Sequence, residues 1–189
     1  MPGASALPAV ETFDDRAAGM AVDDLAAIGR GVIARLTREG WQVNASVERH
    51  VENLRFGNTA GQVVRSRGTA ITVGADVTRV AGDDVLMAYD GVATTGVPDD
   101  AELDRIVNTI VTKIERGATI VDSPSGRLPV FFTPEGLAAV LMPIRQALSG
   151  KSVLQGISPL AGKIGEALFD AAFSLRDDPL LPNHVASRA

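Results

Sequence analysis

The residues to weigh first are those that bind metals or attack carbonyl groups. Asp177 and Asp178 are adjacent carboxylates before Pro179. Adjacent acids offer oxygen ligands to a divalent cation. Before a proline they also make a solvated turn, and that is the plainer reading. His50 and His184 are the two histidines, and the chain has no cysteine. Zinc takes three or four protein ligands, so two histidines build no histidine-rich site. His50 falls on the polar side of an alternating segment beside Glu48 and reads as an exposed strand residue; His184 falls in a polar tail. Ser123 and Ser158 lack a His/Asp partner pattern and a nucleophile elbow. Gly150-Lys151-Ser152 ends like a phosphate loop, but Arg145 stands where the upstream glycine belongs. Gly162-Lys163-Ile164 lacks the hydroxyl. No catalytic, cofactor-binding or metal-ligating residue is assigned.

Arg49, Arg55, Arg65, Arg67 and Arg79 are the next group. They spread over a predicted sheet with Glu48, Glu52 and Asp76 close in sequence. A solvated mixed face explains them better than a nucleic-acid platform. The net charge of −5 and a pI near 5.0 agree, since no basic excess favours phosphate. Hydrophobic residues are 46% and charged residues 22%, a globular balance over 189 residues. No uncharged apolar run approaches the roughly 18 residues of a membrane span. The first residues, Met1 to Pro8, lack a basic region before a long apolar core and do not read as a signal peptide. A cytoplasmic setting is expected.

These residues need elements to hold them. Positions 1–21 are rich in Pro, Ala and Gly and read as a loose arm. Asp23 to Glu39 predicts a helix, with Val22, Leu25, Gly29, Val32, Ile33 and Leu36 on its apolar stripe. Gln42 to Val51 alternates strictly and predicts a strand with one wet face; Arg49 is the exception on the apolar face. Asn58 to Gly61 is a turn, and Gln62 to Val80 a long extended run broken or bent around Gly68 and Gly74. Val85 to Ala93 comes next as a third strand, completing an antiparallel meander. Asp99 to Arg116 predicts a second helix, with Leu103, Ile106, Val107, Ile110, Val111 and Ile114 at helical spacing.

Beyond a boundary loop at Ile120–Arg127, Leu128 to Phe132 is a short strand candidate. Thr133-Pro134-Glu135 opens a helix through Leu148, kinked by Pro143 and ended by Gly150. Ser158-Pro159 opens a shorter helical stretch through Leu168, and Ala171 to Leu175 is an extended candidate. The expected fold class is α+β: an antiparallel meander with packed helices, then the incomplete start of a second α+β domain. The expected domains are an arm at 1–21, a helix–meander–helix domain at 22–122, the start of a C-terminal domain at 127–183, and a tail at 184–189.

The ordered string resembles the TldD/PmbA family, often labelled modulator of DNA gyrase. Arg55-Phe56-Gly57-Asn58-Thr59-Ala60-Gly61-Gln62 is similar to the family's strand-turn element, with Thr59 in place of serine. The extended run ending in Val85-Leu86-Met87-Ala88-Tyr89-Asp90-Gly91 fits the segment that comes next in the family. Pro129 to Gly136, Ala147 to Lys151, the run Ser158-Pro159-Leu160-Ala161-Gly162-Lys163-Ile164-Gly165-Glu166, and Asp177-Asp178-Pro179 stand in the order of the family's C-terminal domain. The resemblance covers about Gln42 to Asn183.

The resemblance implies a bacterial or archaeal cytoplasmic protease system of two subunits that cleaves and matures peptides. One subunit type carries a His-Glu-x-x-x-His zinc motif on a helix. Two histidines one turn apart hold the metal and the glutamate acts as general base. The matching stretch here, Gly136 to Leu148, has Glu135 and Arg145 beside or within it and no histidine. That departure places the chain on the PmbA/TldE-like side, and no zinc ligand carries over. Zinc is expected only in a TldD-like partner. Family members are much longer, so the chain is expected to be an internal fragment or a truncated product. The implied function is a non-catalytic scaffold or partner subunit of a metalloprotease assembly. Its partners would be a TldD-like subunit or a second copy, with peptide reaching it through the assembly. The alternative is a stand-alone binding module related to gyrase or nucleic acid, which the acidic pI disfavours. A complete enzyme with an unrecognised site is a third reading.

Overall fold

A computed structural model describes residues 8–187. The described chain divides into two compact units, one made of residues up to Val121 together with those from Asp177, the other of Asp122–Arg176.

The first unit is α+β. Its helices are α1 (Asp15–Gly19), α2 (Val22–Leu36) and α3 (Asp100–Gly117), and its strands are β1 (Trp41–Gly57), β2 (Val63–Ala81) and β3 (Asp84–Thr94). The three strands form one antiparallel sheet in the order β1-β2-β3. Trp41 pairs with Arg79 and Gly57 with Val63, with one-to-one register throughout. β3 pairs only with Ile71–Ala81. From His50↔Ala70 to Gly57↔Val63, β1 and β2 therefore run on past the end of β3 as a ribbon. β1 is longer than the alternation at Gln42–Val51 predicts, and β2 runs unbroken through Gly68 and Gly74, where a break or bend is expected from the sequence, because its register to β1 continues one-to-one there. The ribbon shows apolar side chains at Leu54 and Phe56 to water, so a burial pattern cannot mark it.

Alternation decides the packing. Ile71, Val73, Ala75 and Val77 of β2 are buried on one face. α2 brings Val32 and Leu36 to that core, and α3 brings Leu103, Ile106, Val107, Ile110 and Ile114. The stripe predicted on α3 is observed; on α2 it begins late, since Val22 is exposed. Both helices have acidic side chains hydrogen-bonded at their start. Asp99 accepts from the Glu102 N–H at 2.8 Å while Glu102 accepts from the Asp99 N–H at 2.9 Å, a reciprocal capping box. Asp24 accepts from the Ala21 N–H at 3.1 Å. Arg35 of α2 bridges Asp100 and Asp104 of α3, at 2.6 and 3.1 Å. The hydrogen bond that Arg35 donates to Asp100 is the main cause that raises its pKa further.

The segment expected to be a loose arm is docked from Glu11 on; residues 1–7 lie outside the described residues. Thr12 donates its hydroxyl to the Arg67 carbonyl at 2.8 Å, and its own carbonyl accepts from the Thr69 N–H at 2.9 Å. Thr69 Oγ1 accepts from the Asp14 N–H and donates to the Thr95 carbonyl, at 2.9 and 2.7 Å. The arm thus takes the place beside β2 that β3 leaves open. Its Pro/Ala/Gly composition hid this, because the attachment runs through backbone groups and threonine hydroxyls. α1 comes next, buries Ala17 in the core and is capped by Asp14. Arg49, the misfit on the apolar face of β1, donates to the carbonyls of Ala18 and Met20 at the end of α1. The tail is also tied in, with the Asn183 N–H donating to the Glu11 carbonyl at 2.8 Å and Ser187 buried.

The second unit holds α4 (Pro134–Leu148) and α5 (Gly150–Leu154), joined through Ser149. Four expectations are corrected here. Leu128–Phe132 forms no strand, and no partner strand is present in this unit to pair with it. Ser158–Leu168 is a series of turns and not a helix; Gly162 and Gly165 sit at positive φ, which a helix does not admit. Ala171–Leu175 is likewise not a strand. Gly150, expected to end a helix, opens the short α5.

Two substitutions test this packing. Ile110→Ala removes a fully buried side chain from the helix–sheet core and should cost about 2–5 kcal/mol in urea unfolding. Arg49→Ala should accelerate hydrogen exchange in Asp15–Gly19 and leave α3 unchanged, because it frees only the carbonyls that end α1.

Candidate functional site

The sequence candidates are dispersed. His50 lies on the open face of the sheet, exposed and paired with Ala70 in register. Asp178 accepts from the Leu180 N–H at 3.1 Å, an Asx turn. His184 Nδ1 accepts from the Ala186 N–H at 3.3 Å. Ser158 is buried, donates to the Ala147 carbonyl at 2.6 Å and accepts from the Leu160 N–H at 3.1 Å. Its hydroxyl is committed to closing the end of α4. Among the described residues no three His, Cys, Asp or Glu side chains gather as a metal site.

α4 is the helix that the resemblance aligns with a zinc-bearing one. Thr133 caps it, accepting from the Gly136 N–H at 3.1 Å, and Pro134 occupies its first turn. Its charged and amide side chains are Glu135, Arg145 and Gln146. A hydrolytic zinc needs imidazole or several anionic donors held in fixed positions. One carboxylate in the first turn does not supply that set, so α4 does not fit the metal.

The outer face of α3 forms a shallow concavity of about 690 Å³, lined among others by Asp104, Arg105, Asn108, Thr109, Thr112 and Lys113. Its two cations are committed. Arg105 binds Asp90 at 2.9 Å and the Gly91 carbonyl at 3.0 Å. Lys113 donates to the Tyr89 carbonyl at 2.7 Å. These side chains occupy two outward carbonyls of β3.

The five arginines separate into different jobs. Arg49 closes α1, Arg79 pairs with Asp84 at 2.6 Å, and Arg67 lies over the Phe13 ring at 3.6 Å. Arg55 and Arg65 remain, directly opposite each other across the β1–β2 ladder and exposed. A common phosphate-binding platform is not formed. Sequence spacing missed the placing of Arg49 and Arg67 because it depends on the arm residues Phe13, Ala18 and Met20.

The second unit presents much apolar surface. Phe131 is 90% exposed and Ile164 99% exposed, and Val130, Leu148, Leu154 and Ile157 are exposed too. Its buried hydrophobic residue is Ala147. A free-standing unit seldom leaves so much apolar area in water.

Residues 125–189 match the family model of the PmbA/TldA metallopeptidase C-terminal domain. No curated protein matches the chain. Three solved structures share its fold. A candidate modulator of DNA gyrase from Thermotoga maritima aligns over 100% of this chain and 44% of its own, at 20% identity and a TM-score of 0.85. A second such protein, from Bacteroides thetaiotaomicron, aligns over 97% of this chain and 43% of its own, at 18% identity and a TM-score of 0.77. TldE from Thermococcus kodakarensis aligns over 88% of this chain and 38% of its own, at 19% identity and a TM-score of 0.68. The chain spans less than half the length of these proteins. At such identities the likeness establishes the fold alone, and the family model ties residues 125–189 to the PmbA/TldA C-terminal domain.

Ser158→Ala should leave the buried Ala147 carbonyl without its side-chain donor. The expected result is a loss of about 1–3 kcal/mol of local stability. Faster exchange of the amides at the end of α4 and in α5 is the readout.

Proposed function

We propose that this TldD/PmbA-family chain is a non-catalytic, PmbA/TldE-like part of a metalloprotease assembly, acting as scaffold or partner subunit to a zinc-bearing chain. The observation that carries the reading is the donor set of α4. The chain matches a metallopeptidase C-terminal domain, yet the stretch aligned with the zinc helix offers no imidazole. Chemistry that needs a zinc-bound hydroxide and a general base would then belong to a TldD-like partner, and this chain would help to shape the path of the peptide.

The exposed apolar side chains of the second unit support association. Fully covering one leucine-sized side chain contributes about 1.5–3 kcal/mol, so several together favour a partner or a second copy strongly. The dispersal of the arginines supports peptide handling over a nucleic-acid module.

Elemental analysis and peptidase assays test the proposal. The purified chain should carry no stoichiometric zinc and cleave no unstructured peptide unaided. One zinc per chain with chelator-sensitive cleavage would overturn it. Hydrogen exchange should be faster in α4 than in α3, and sedimentation should show association. A monomer with the opposite order of exchange would refute the association reading.

A further inference from the structure

The two outer edges of the sheet are treated differently. On β3, Arg105 and Lys113 occupy the outward carbonyls of Gly91 and Tyr89. β1 has no such cover along the ribbon. The Val80 N–H donates to the Gly40 carbonyl, and the Asn58 N–H to the Gln62 carbonyl. Both pairs continue the register that joins Trp41 to Arg79 and Gly57 to Val63. Even-numbered residues of β1 therefore bond to β2, and the N–H and C=O groups of Val51, Asn53 and Arg55 point outward. Among the described residues these groups meet no hydrogen-bond partner. The strand has no proline and no bulge, the usual devices that blunt an edge.

The side chains of the ribbon supply a second, independent observation. Its stretch Asn53–Gly68 contains Arg55, Arg65 and Arg67 and no acid, in a chain of net charge −5. Arg55 and Arg65 are register partners, and like charges directly opposite each other destabilise a ladder. Among the described residues neither guanidinium meets a carboxylate. The opposite face of the same ribbon carries Leu54 and Phe56, 45% and 58% exposed. The face of Arg55 and Arg65, which also carries Val51 and Val63, is cationic; the other face is apolar beyond Glu52, at Leu54 and Phe56.

We propose that the outer edge of β1 from Val51 to Arg55 takes an added strand from an extended polypeptide in which acidic and apolar residues alternate. The backbone of that segment completes the ladder. A carboxylate opposite Arg55 extends the row Arg65–Arg55 into a charge-compensated one. The alternate residues of the segment cover Leu54 and Phe56. This goes beyond the partner-subunit proposal and does not need it, since the edge belongs to this chain alone.

The test is fluorescence anisotropy of the full chain with a labelled peptide of about twelve residues alternating glutamate and valine. Saturable binding is expected, at least about tenfold tighter than that of the lysine–valine counterpart. Asn53→Pro removes an outward N–H and no β1–β2 bond, so it should abolish binding. Arg55→Gln with Arg65→Gln should erase the preference for the acidic peptide while leaving the circular dichroism spectrum unchanged. Equal binding of the two peptides, or full affinity in Asn53→Pro, overturns the proposal. So does complete displacement of the peptide by a single-stranded oligonucleotide that binds Asn53→Pro as well as it binds the unaltered chain, because the site would then read phosphate and not a strand edge.

Discussion

The unbroken register between β1 and β2 is the constraint on which the first unit depends. Seventeen residues of β1 pair one-to-one with β2, from Trp41↔Arg79 to Gly57↔Val63. With no bulge, the parity of every residue is set once and kept along the whole length. Odd positions face α2 and α3 wherever those helices cover the sheet, which places Ile71, Val73, Ala75 and Val77 in the core. The same parity puts Arg49 under the end of α1 and carries Arg55 and Arg65 onto one face of the ribbon. A slip of one residue would expose the core and bury Asp76 and Glu48. Burial in the proximal half therefore dictates which side chains meet in the distal half, where burial itself no longer selects.

Much of this unit was legible in the residues, and for a physical reason. α3 shows its stripe because a helix on a sheet must repeat near 3.6 residues, and Asp99 with Glu102 marks its start. The strict alternation at Gln42–Val51 reveals a half-covered strand. The arm was not legible. Thr12, Asp14 and Thr69 hold it through one hydroxyl network, and threonines in a Pro/Ala/Gly-rich stretch carry no periodic signal. The role of Arg49 was visible only as a misfit. A cation on an apolar face needs acceptors from elsewhere, and the acceptors lay in the helix that composition concealed.

The second unit misled in a different way. Leu128–Phe132 has the composition of a strand, and Leu160, Ile164 and Leu168 have the spacing of a helix. Both signals record apolar surface that seeks a partner. Neither is buried here, and Ile164 stands in water between two glycines at positive φ. Apolar periodicity predicts which face an element would bury, and the element forms when something covers that face. The order of short motifs was the better guide to family, because it does not depend on burial.

Among the described residues the polar side chains singled out from the sequence lie apart from one another. The useful contrast lies in how the hydrogen-bonding capacity of the backbone is met. α1 ends on Arg49, α4 on Ser158, and β3 on Arg105 and Lys113, each a polar side chain brought from elsewhere in the same unit to a carbonyl group. A fold that closes these ends with specific donors leaves an open edge conspicuous. The outward groups of β1 are met by water in the free chain, and water costs nothing at a solvent-facing edge. An arriving strand exchanges those waters for a ladder, with little net gain from the bonds themselves. Selectivity must then come from the side chains beside the edge. Here that means two guanidinium groups on one face and Leu54 with Phe56 on the other.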